Sequence, residues 1–218
     1  MAAIFTSRAN LYTQFILLGT GVLLIGLAGL VWIAPNNNYA SGIGFTPVQP
    51  VPFSHQHHVS GLGLDCRYCH AAVEKSADAG MPPTHTCMTC HSHIWTHAAI
   101  LAPVRQSLAQ NKPLQWKRVY TLPDYVYFDH SIHVAKGIGC TECHGPIGDM
   151  PLTYQATSLH MGWCLDCHRN PAPHLNPPNA LFADLRPKTS GGHAEPEALM
   201  RAYHVQTAHL TNCSTCHH

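Results

Sequence analysis

The sequence predicts a mostly α-helical chain with extensive coil, cored by bound prosthetic groups rather than by side chains, behind one N-terminal transmembrane helix. Three observations predict it. The stretch from Leu11 to Ala34 runs 24 residues without a charge. All ten cysteines fall in pairs spaced C-x-x-C, and a histidine follows every pair. Only 11% of the 218 residues are charged, against about 25% in an ordinary soluble domain, and 17 prolines and 16 glycines break up any helical or strand periodicity. Twelve Lys+Arg against eleven Asp+Glu leave a formal charge of +1. No basic surplus exists for gripping a phosphate backbone, which excludes nucleic acid as a partner.

The anchor comes first. About 20 apolar residues cross the hydrocarbon layer, so Leu11 to Ala34 can span it with some tilt. Tyr12 and Trp32 sit near its ends, where aromatic rings favour the interface. A cleaved signal peptide has an apolar core of about 7–15 residues. This stretch is longer and Pro35 follows it, so residues 1–34 are expected to be an uncleaved tail and single-pass anchor. Arg8 precedes the segment, and the next Lys or Arg after it is Arg67. That asymmetry puts the N-terminus in the cytoplasm and the rest on the periplasmic side of the cytoplasmic membrane.

The motifs are Cys66-Cys69-His70, Cys87-Cys90-His91, Cys140-Cys143-His144, Cys164-Cys167-His168 and Cys213-Cys216-His217. C-x-x-C-H is the attachment signature of c-type haem. The two thiols add across the two vinyl groups, and the histidine becomes the proximal iron ligand. Zinc is the competing reading. Four-cysteine sites consume pairs two at a time, so five pairs strand one. A thioredoxin-like redox site needs one pair, not five. The reading is therefore five covalently bound haem c groups, which agrees with the orientation, since haem is attached outside the cytoplasmic membrane. The residues after the anchor come to roughly 37 per haem, too few for a separate core around each. The haems themselves must form the core.

Fourteen further histidines remain, and some repeat. Phe53-Ser54-His55-Gln56-His57-His58-Val59 precedes the first haem motif, and Phe128-Asp129-His130-Ser131-Ile132-His133-Val134 precedes the third. Each block reads F-x-H-x-x-H-V, a Gly-containing spacer, then haem. Positions three apart share a helix face, so one turn bearing His55 and His58, or His130 and His133, can serve two irons. His57 lies on another face and is read as non-ligating. The soluble part is thus expected as a two-haem unit over 35–97, a join over 98–127 and a three-haem unit over 128–218. Ile94 to Gln110, running into the join, can form a short helix that Pro103 kinks or restarts. Trp116 to Tyr127 reads as extended chain or a small ribbon. Asn170 to Pro196 reads as a wrap around the haem stack or a surface for a partner subunit.

The last unit resembles the three-haem cytochrome c7 family through FDHSIHVAKGIGCTECH, SLHMGWCLDCH and NCSTCHH. The resemblance implies that His130 caps the iron of His144, His133 that of His168, and His160 that of His217. Carried to the first block, it implies that His55 caps the iron of His70 and His58 that of His91. The whole chain resembles the pentahaem, membrane-anchored cytochrome subunit of alternative complex III, in its single anchor, its motif number and order, and the join PLQWKRVYTLPDYVYFDHSIHV. In that family the run Met161-Gly162-Trp163-Cys164 implies Met161 as a sixth ligand beside or instead of His160, and Met161 is the choice taken here. His85, His209 and Met81 are further candidate ligands. Arg67, Arg169 and Lys136 flank haems, with propionate pairing and a solvated role both open.

The expected function is an electron-transfer wire, not an enzyme in its own right. The alternative complex III resemblance implies as partners an iron–sulfur subunit, polytopic quinol-oxidising subunits and a monohaem cytochrome. It implies a periplasmic cytochrome, small carrier protein or oxidase as acceptor. Two other readings compete. One is a membrane-anchored quinol dehydrogenase cytochrome feeding a periplasmic reductase, which needs a quinol pocket beside a haem near the membrane. The other is a catalytic multihaem reductase, which needs an iron with an open position.

Overall fold

An apolar run with no internal charge has nothing to stop it coiling, and α1, Ser7–Ile33, is the result. Thr6 caps it, its hydroxyl accepting from the Ala9 amide at 3.3 Å. At 1.5 Å per residue the helix is about 40 Å long, and it is long and apolar enough to cross a membrane. Leu17, Leu18, Ile25, Val31 and Trp32 are all more than 60% exposed. A helix apolar on every side and exposed along its span suits lipid as its solvent. It is a candidate membrane anchor.

The computed structural model describes residues 6–34, 37, 41–182 and 195–217. The chain divides into two units, Met1–Gly42 and Ile43–His218. The second unit holds all five C-x-x-C-H motifs, together with the stretch 98–127. Its helices are short. They are α2 (Cys66–Cys69), α3 (Thr84–His91), α4 (Ala102–Gln110), α5 (His130–Ala135), α6 (Cys140–His144), α7 (Met161–Arg169), α8 (Pro196–Ala202) and α9 (Cys213–Cys216). A π-type turn spans Gln56–Gly61. Among the described residues the only β pairing is two isolated antiparallel bridges, Val126 with His217 and Ile138 with Leu175. The extended reading of Trp116 to Tyr127 therefore comes down to one bridging residue. Part of the wrap expected over Asn170 to Pro196 lies outside the described residues.

Side chains supply little core. Among the described residues the buried apolar ones are Val51, Val73, Leu101, Val104, Met150, Leu175 and Leu199. Val51, Leu101 and Val104 form one cluster, with Met88, Leu114 and Trp116 against it. The helix expected over Ile94 to Gln110 is shorter than that. Residues 94–98 form turns, with Trp95 at φ +55°, so His93 and His97 do not share a helix. Pro103 does not kink the helix. It lies in the first turn of α4, where its missing N–H costs nothing. Asn111, at φ +50°, ends α4 in the left-handed conformation.

The two F-x-H-x-x-H-V blocks fold alike. Phe53 meets the His55 ring edge-on at 4.9 Å and stacks on His58 at 4.4 Å and 27°. Phe128 meets His130 at 4.8 Å and stacks on His133 at 4.7 Å and 24°. Phenylalanine thus wedges the two imidazoles of each turn apart. The blocks differ by one residue: thirteen positions separate Phe53 from Cys66, and twelve separate Phe128 from Cys140. The longer block carries the π-type turn, the usual way for a helical turn to absorb an extra residue.

Candidate haem-binding site

All five cysteine pairs sit on helical turns. Cys66 and Cys69 are the ends of α2, Cys213 and Cys216 those of α9, and α6 begins at Cys140. The other two pairs lie within α3 and α7. Helical positions i and i+3 share a face, so each pair presents two thiols to one side. No disulfide joins any of the ten cysteines.

The structure brings most of the singled-out histidines into pairs. His58 and His91 have ring centres 6.2 Å apart, His130 and His144 6.4 Å, and His133 and His168 6.1 Å. Two metal–imidazole bonds of about 2 Å, plus about 1 Å from each nitrogen to its ring centre, also come to about 6 Å. The spacing fits an iron between each two rings. The His130 and His144 planes are within 8° of parallel, and the other pairs are tilted by 65° and 34°. His55 is half-buried, with His70 near it. Burial first, then the neighbouring His70 and His58, lower its pKa to about 4. His144 is also lowered to about 4, by burial and then by His130, His70 and His55. These rings are kept neutral, the form that binds metal.

The Nδ1 atoms are nearly all occupied. Acceptor oxygens lie at 2.7 Å for His70 (Gly80 carbonyl), 2.8 Å for His58 (Ser54 carbonyl) and 2.7 Å for His133 (Asp129 carbonyl). They lie at 2.8 Å for His130 (Ala77 carbonyl) and 2.9 Å for His168 (Leu210 carbonyl). His91 is looser, at 3.3 Å from the Ile94 carbonyl. A carbonyl can only accept, so each of these Nδ1 atoms carries the ring proton. Nε2 is left with its lone pair free for a metal.

The thiols are tuned the same way. Burial pushes the Cys143 thiol up to about 12. Cys140 is pushed up by a hydrogen bond with the Cys66 thiol and then by burial.

The fifth motif is different. Among the described residues, the ring beside His217 is Tyr125, at 5.8 Å. His160 is the exposed N-cap of α7, and Met161, its first residue, is 64% exposed. They stand one turn before Cys164, whose thiol is raised by burial and then by the nearby Cys216. Met81 is 57% exposed and His85 is exposed, while His209 Nδ1 lies 3.3 Å from the Asn212 amide nitrogen. His218 lies outside the described residues. The three flanking cations have protein partners. Arg67 pairs with Asp65 at 2.8 Å and lies over the Phe182 ring at 4.2 Å. Lys136 Nζ donates to the carbonyls of Tyr203 and His204 at 3.1 and 3.2 Å. Arg169 pairs with Asp166 at 3.7 Å.

Several supporting residues carry no sequence signal. Tyr120, in the join, packs edge-on against His144 at 4.6 Å, and its hydroxyl reaches the Cys143 carbonyl at 3.4 Å. His174 Nδ1 lies 3.1 Å from Glu142. Gly145, the residue after His144, has φ +63° and ψ −150°, a region essentially closed to other residues. A Cβ there would sit 2.7 Å from Ala156 Cβ. Gly145→Ala is therefore expected to destabilise the haem-loaded protein by about 2–5 kcal/mol, from backbone strain and overpacking together. Gly162→Ala is the control: a Cβ there meets nothing within 4 Å inside α7, so helix propensity makes it neutral or slightly stabilising. Thermal unfolding of the two variants, followed by far-UV circular dichroism, checks the contrast.

No family model matches the chain. It is similar to the multihaem cytochrome c subunit of menaquinone reductase from Nitratidesulfovibrio vulgaris (strain Hildenborough). The two are 29% identical over 184 residues, covering 73% of this chain and 85% of that protein. With the apolar N-terminal helix, this likeness supports a membrane-associated multihaem cytochrome c.

Proposed function

We propose that this chain is a pentahaem c-type cytochrome serving as the electron wire of a membrane quinol:electron acceptor oxidoreductase of the alternative complex III type. The α1 anchor holds it in the cytoplasmic membrane with Ile43–His218 on the periplasmic side. The observation that carries the reading is the set of five helical C-x-x-C-H turns, with imidazoles standing 6.1–6.4 Å apart over three of them. The ten motif cysteines hold the haems, and His70, His91, His144, His168 and His217 are the proximal ligands. His55, His58, His130 and His133 take the distal positions at the first four irons, in that crossed order. Met161, with His160 as its competitor, takes the fifth. When bound, haem supplies one-electron exchange at iron. The chain's own residues keep His55, His133 and His144 neutral and fix the proton at Nδ1 of the rings held by carbonyls. The partners are an iron–sulfur subunit, polytopic quinol-oxidising subunits and a monohaem cytochrome.

The relative's name favours a second reading, in which electrons run through the same wire toward menaquinone. Direction is set by partners and potentials, not by the ligand set.

The test uses the complex extracted in mild detergent. The acid-denatured chain should exceed the 23.9 kDa polypeptide by five haems, and four or fewer in matured protein refutes the count. Menaquinol should reduce the haems only while the membrane subunits are attached. Near-infrared magnetic circular dichroism should show one His/Met iron, and five His/His signals return His160 to the fifth site.

A further inference from the structure

The imidazole Nδ1 bonds are not all of one kind. Five of the candidate ligands, His58, His70, His130, His133 and His168, sit against backbone carbonyls at 2.7–2.9 Å. His55 differs: its Nδ1 lies 3.0 Å from the hydroxyl of Thr153, a residue 98 positions away. Thr153 belongs to the stretch between the third and fourth haem motifs, whereas His55 serves the first.

That contact is one half of an exchange. The backbone beside His55 is held by the same stretch. The Gln56 amide donates to the Met150 carbonyl at 3.1 Å, and Ser60 donates to the Gly148 carbonyl at 2.9 Å and to Asp149 at 2.7 Å. Met150 is 1% exposed, so this support is buried. In return, the loop after the first motif holds the distal imidazole of the third. The Ala77 carbonyl accepts from both His130 Nδ1 and the His130 amide, and the Ser76 carbonyl accepts from the Ser131 amide. The two motifs themselves share one support. Cys66 Sγ lies 3.4 Å from the Phe182 carbonyl, and the Cys140 amide donates to the neighbouring Leu181 carbonyl at 3.2 Å.

We propose that the joint between the haem at Cys66 and Cys69 and the haem at Cys140 and Cys143 is set reciprocally, each distal imidazole being oriented by the opposite block, with Thr153 as the positioning residue for His55. The proposal rests on the ligand reading above. With Nε2 committed to iron, Nδ1 carries the proton and donates to Thr153 Oγ1. Such a bond makes an imidazole a more basic ligand, and a more basic ligand favours ferric iron. Thr153 therefore lowers the potential of the first-motif haem from a block that does not bind that haem. Two of the five haems become electronically dependent on the fit between the blocks.

Because the acceptor is a side chain, it can be removed. Thr153→Val keeps the shape and deletes the acceptor, while Thr153→Ser keeps the hydroxyl. In spectropotentiometric titration of the five-haem protein, the valine variant should move one of the five haems to higher potential. The serine variant should titrate like wild type. Thr153→Ala, expected to shift in the same direction, stands in should the valine variant fail to accumulate. Five unmoved potentials, or an equal shift in the serine variant, overturn the proposal. His55→Ala separates it from its premise: one iron in five should turn high-spin. If all five stay low-spin, His55 is not a ligand and both fall. If His55→Ala opens an iron and Thr153→Val is silent, the positioning role alone falls.

Discussion

His133→Ala is expected to leave the iron at Cys164, Cys167 and His168 without a sixth ligand, while the iron at the nearer motif, Cys140 and Cys143, keeps both of its own. The His133 ring centre is 6.1 Å from that of His168 and its Nδ1 lies 2.7 Å from the Asp129 carbonyl, so Nε2 faces the gap between the rings. His130, three residues earlier, stands 6.4 Å from His144 with the planes 8° from parallel. The stacked Phe128 ring fixes the angle between the two imidazoles and prevents either from swinging into the other's place. Burial, the largest influence, lowers the pKa of His133 and keeps it in the ligating form. The variant should therefore show one high-spin haem in five, which binds carbon monoxide when reduced. Selective loss of the Cys164 and Cys167 signal, rather than that of Cys140 and Cys143, is the decisive feature. His130→Ala should give the converse pattern. If both variants open the same iron, the crossed ligation is wrong.

A comparably large effect is expected when the polypeptide is made without haem attachment. Residues 43–218 should then form no stable fold. Among the described residues the buried apolar side chains are few, and Val51, Leu101 and Val104 form one cluster. So thin a core cannot offset the conformational entropy of ordering this many loops. The surface ion pairs do not help, because Arg67–Asp65 and Arg169–Asp166 are exposed and such pairs contribute little. Haem-free chain should be cut by trypsin at Arg105 and Lys136, which in the folded chain are half-buried and hydrogen-bonded to backbone carbonyls, where matured protein resists, and should melt without a cooperative transition. A cooperative transition in the haem-free chain would show that side chains alone suffice.

The readings that came directly from the sequence are those written in local spacing. Five C-x-x-C-H repeats imply haem because two thiols three apart, followed by an imidazole, are a local stereochemical unit that needs no distant partner. The apolar helix α1, the candidate anchor, was legible for the same reason: 24 uncharged residues meet the length of a bilayer without reference to any other part of the chain. The F-x-H-x-x-H-V repeat announced two similar turns, and both blocks place their phenylalanine and histidines alike. The helix after Trp95 was overextended because a glycine-free run offers no stop signal, while Trp95 turns left-handed there and Pro103 begins the helix rather than bending it.

The pairing of the imidazoles was implied by the cytochrome c7 resemblance, whereas tertiary structure alone decided what holds each one. His133 and His168 lie 35 positions apart, His55 and Thr153 lie 98 apart, and no periodicity links such residues. Most of the orienting groups are backbone carbonyls, Gly80, Ala77 and Leu210 among them, which every residue possesses and no side chain advertises. The packing of Tyr120 against His144 depends in the same way on where the join returns to the third motif. Covalent attachment is chemistry between neighbours in the chain and is spelled out residue by residue. Ligand orientation is chemistry between distant segments, and it exists only once the loops have closed around the site they share.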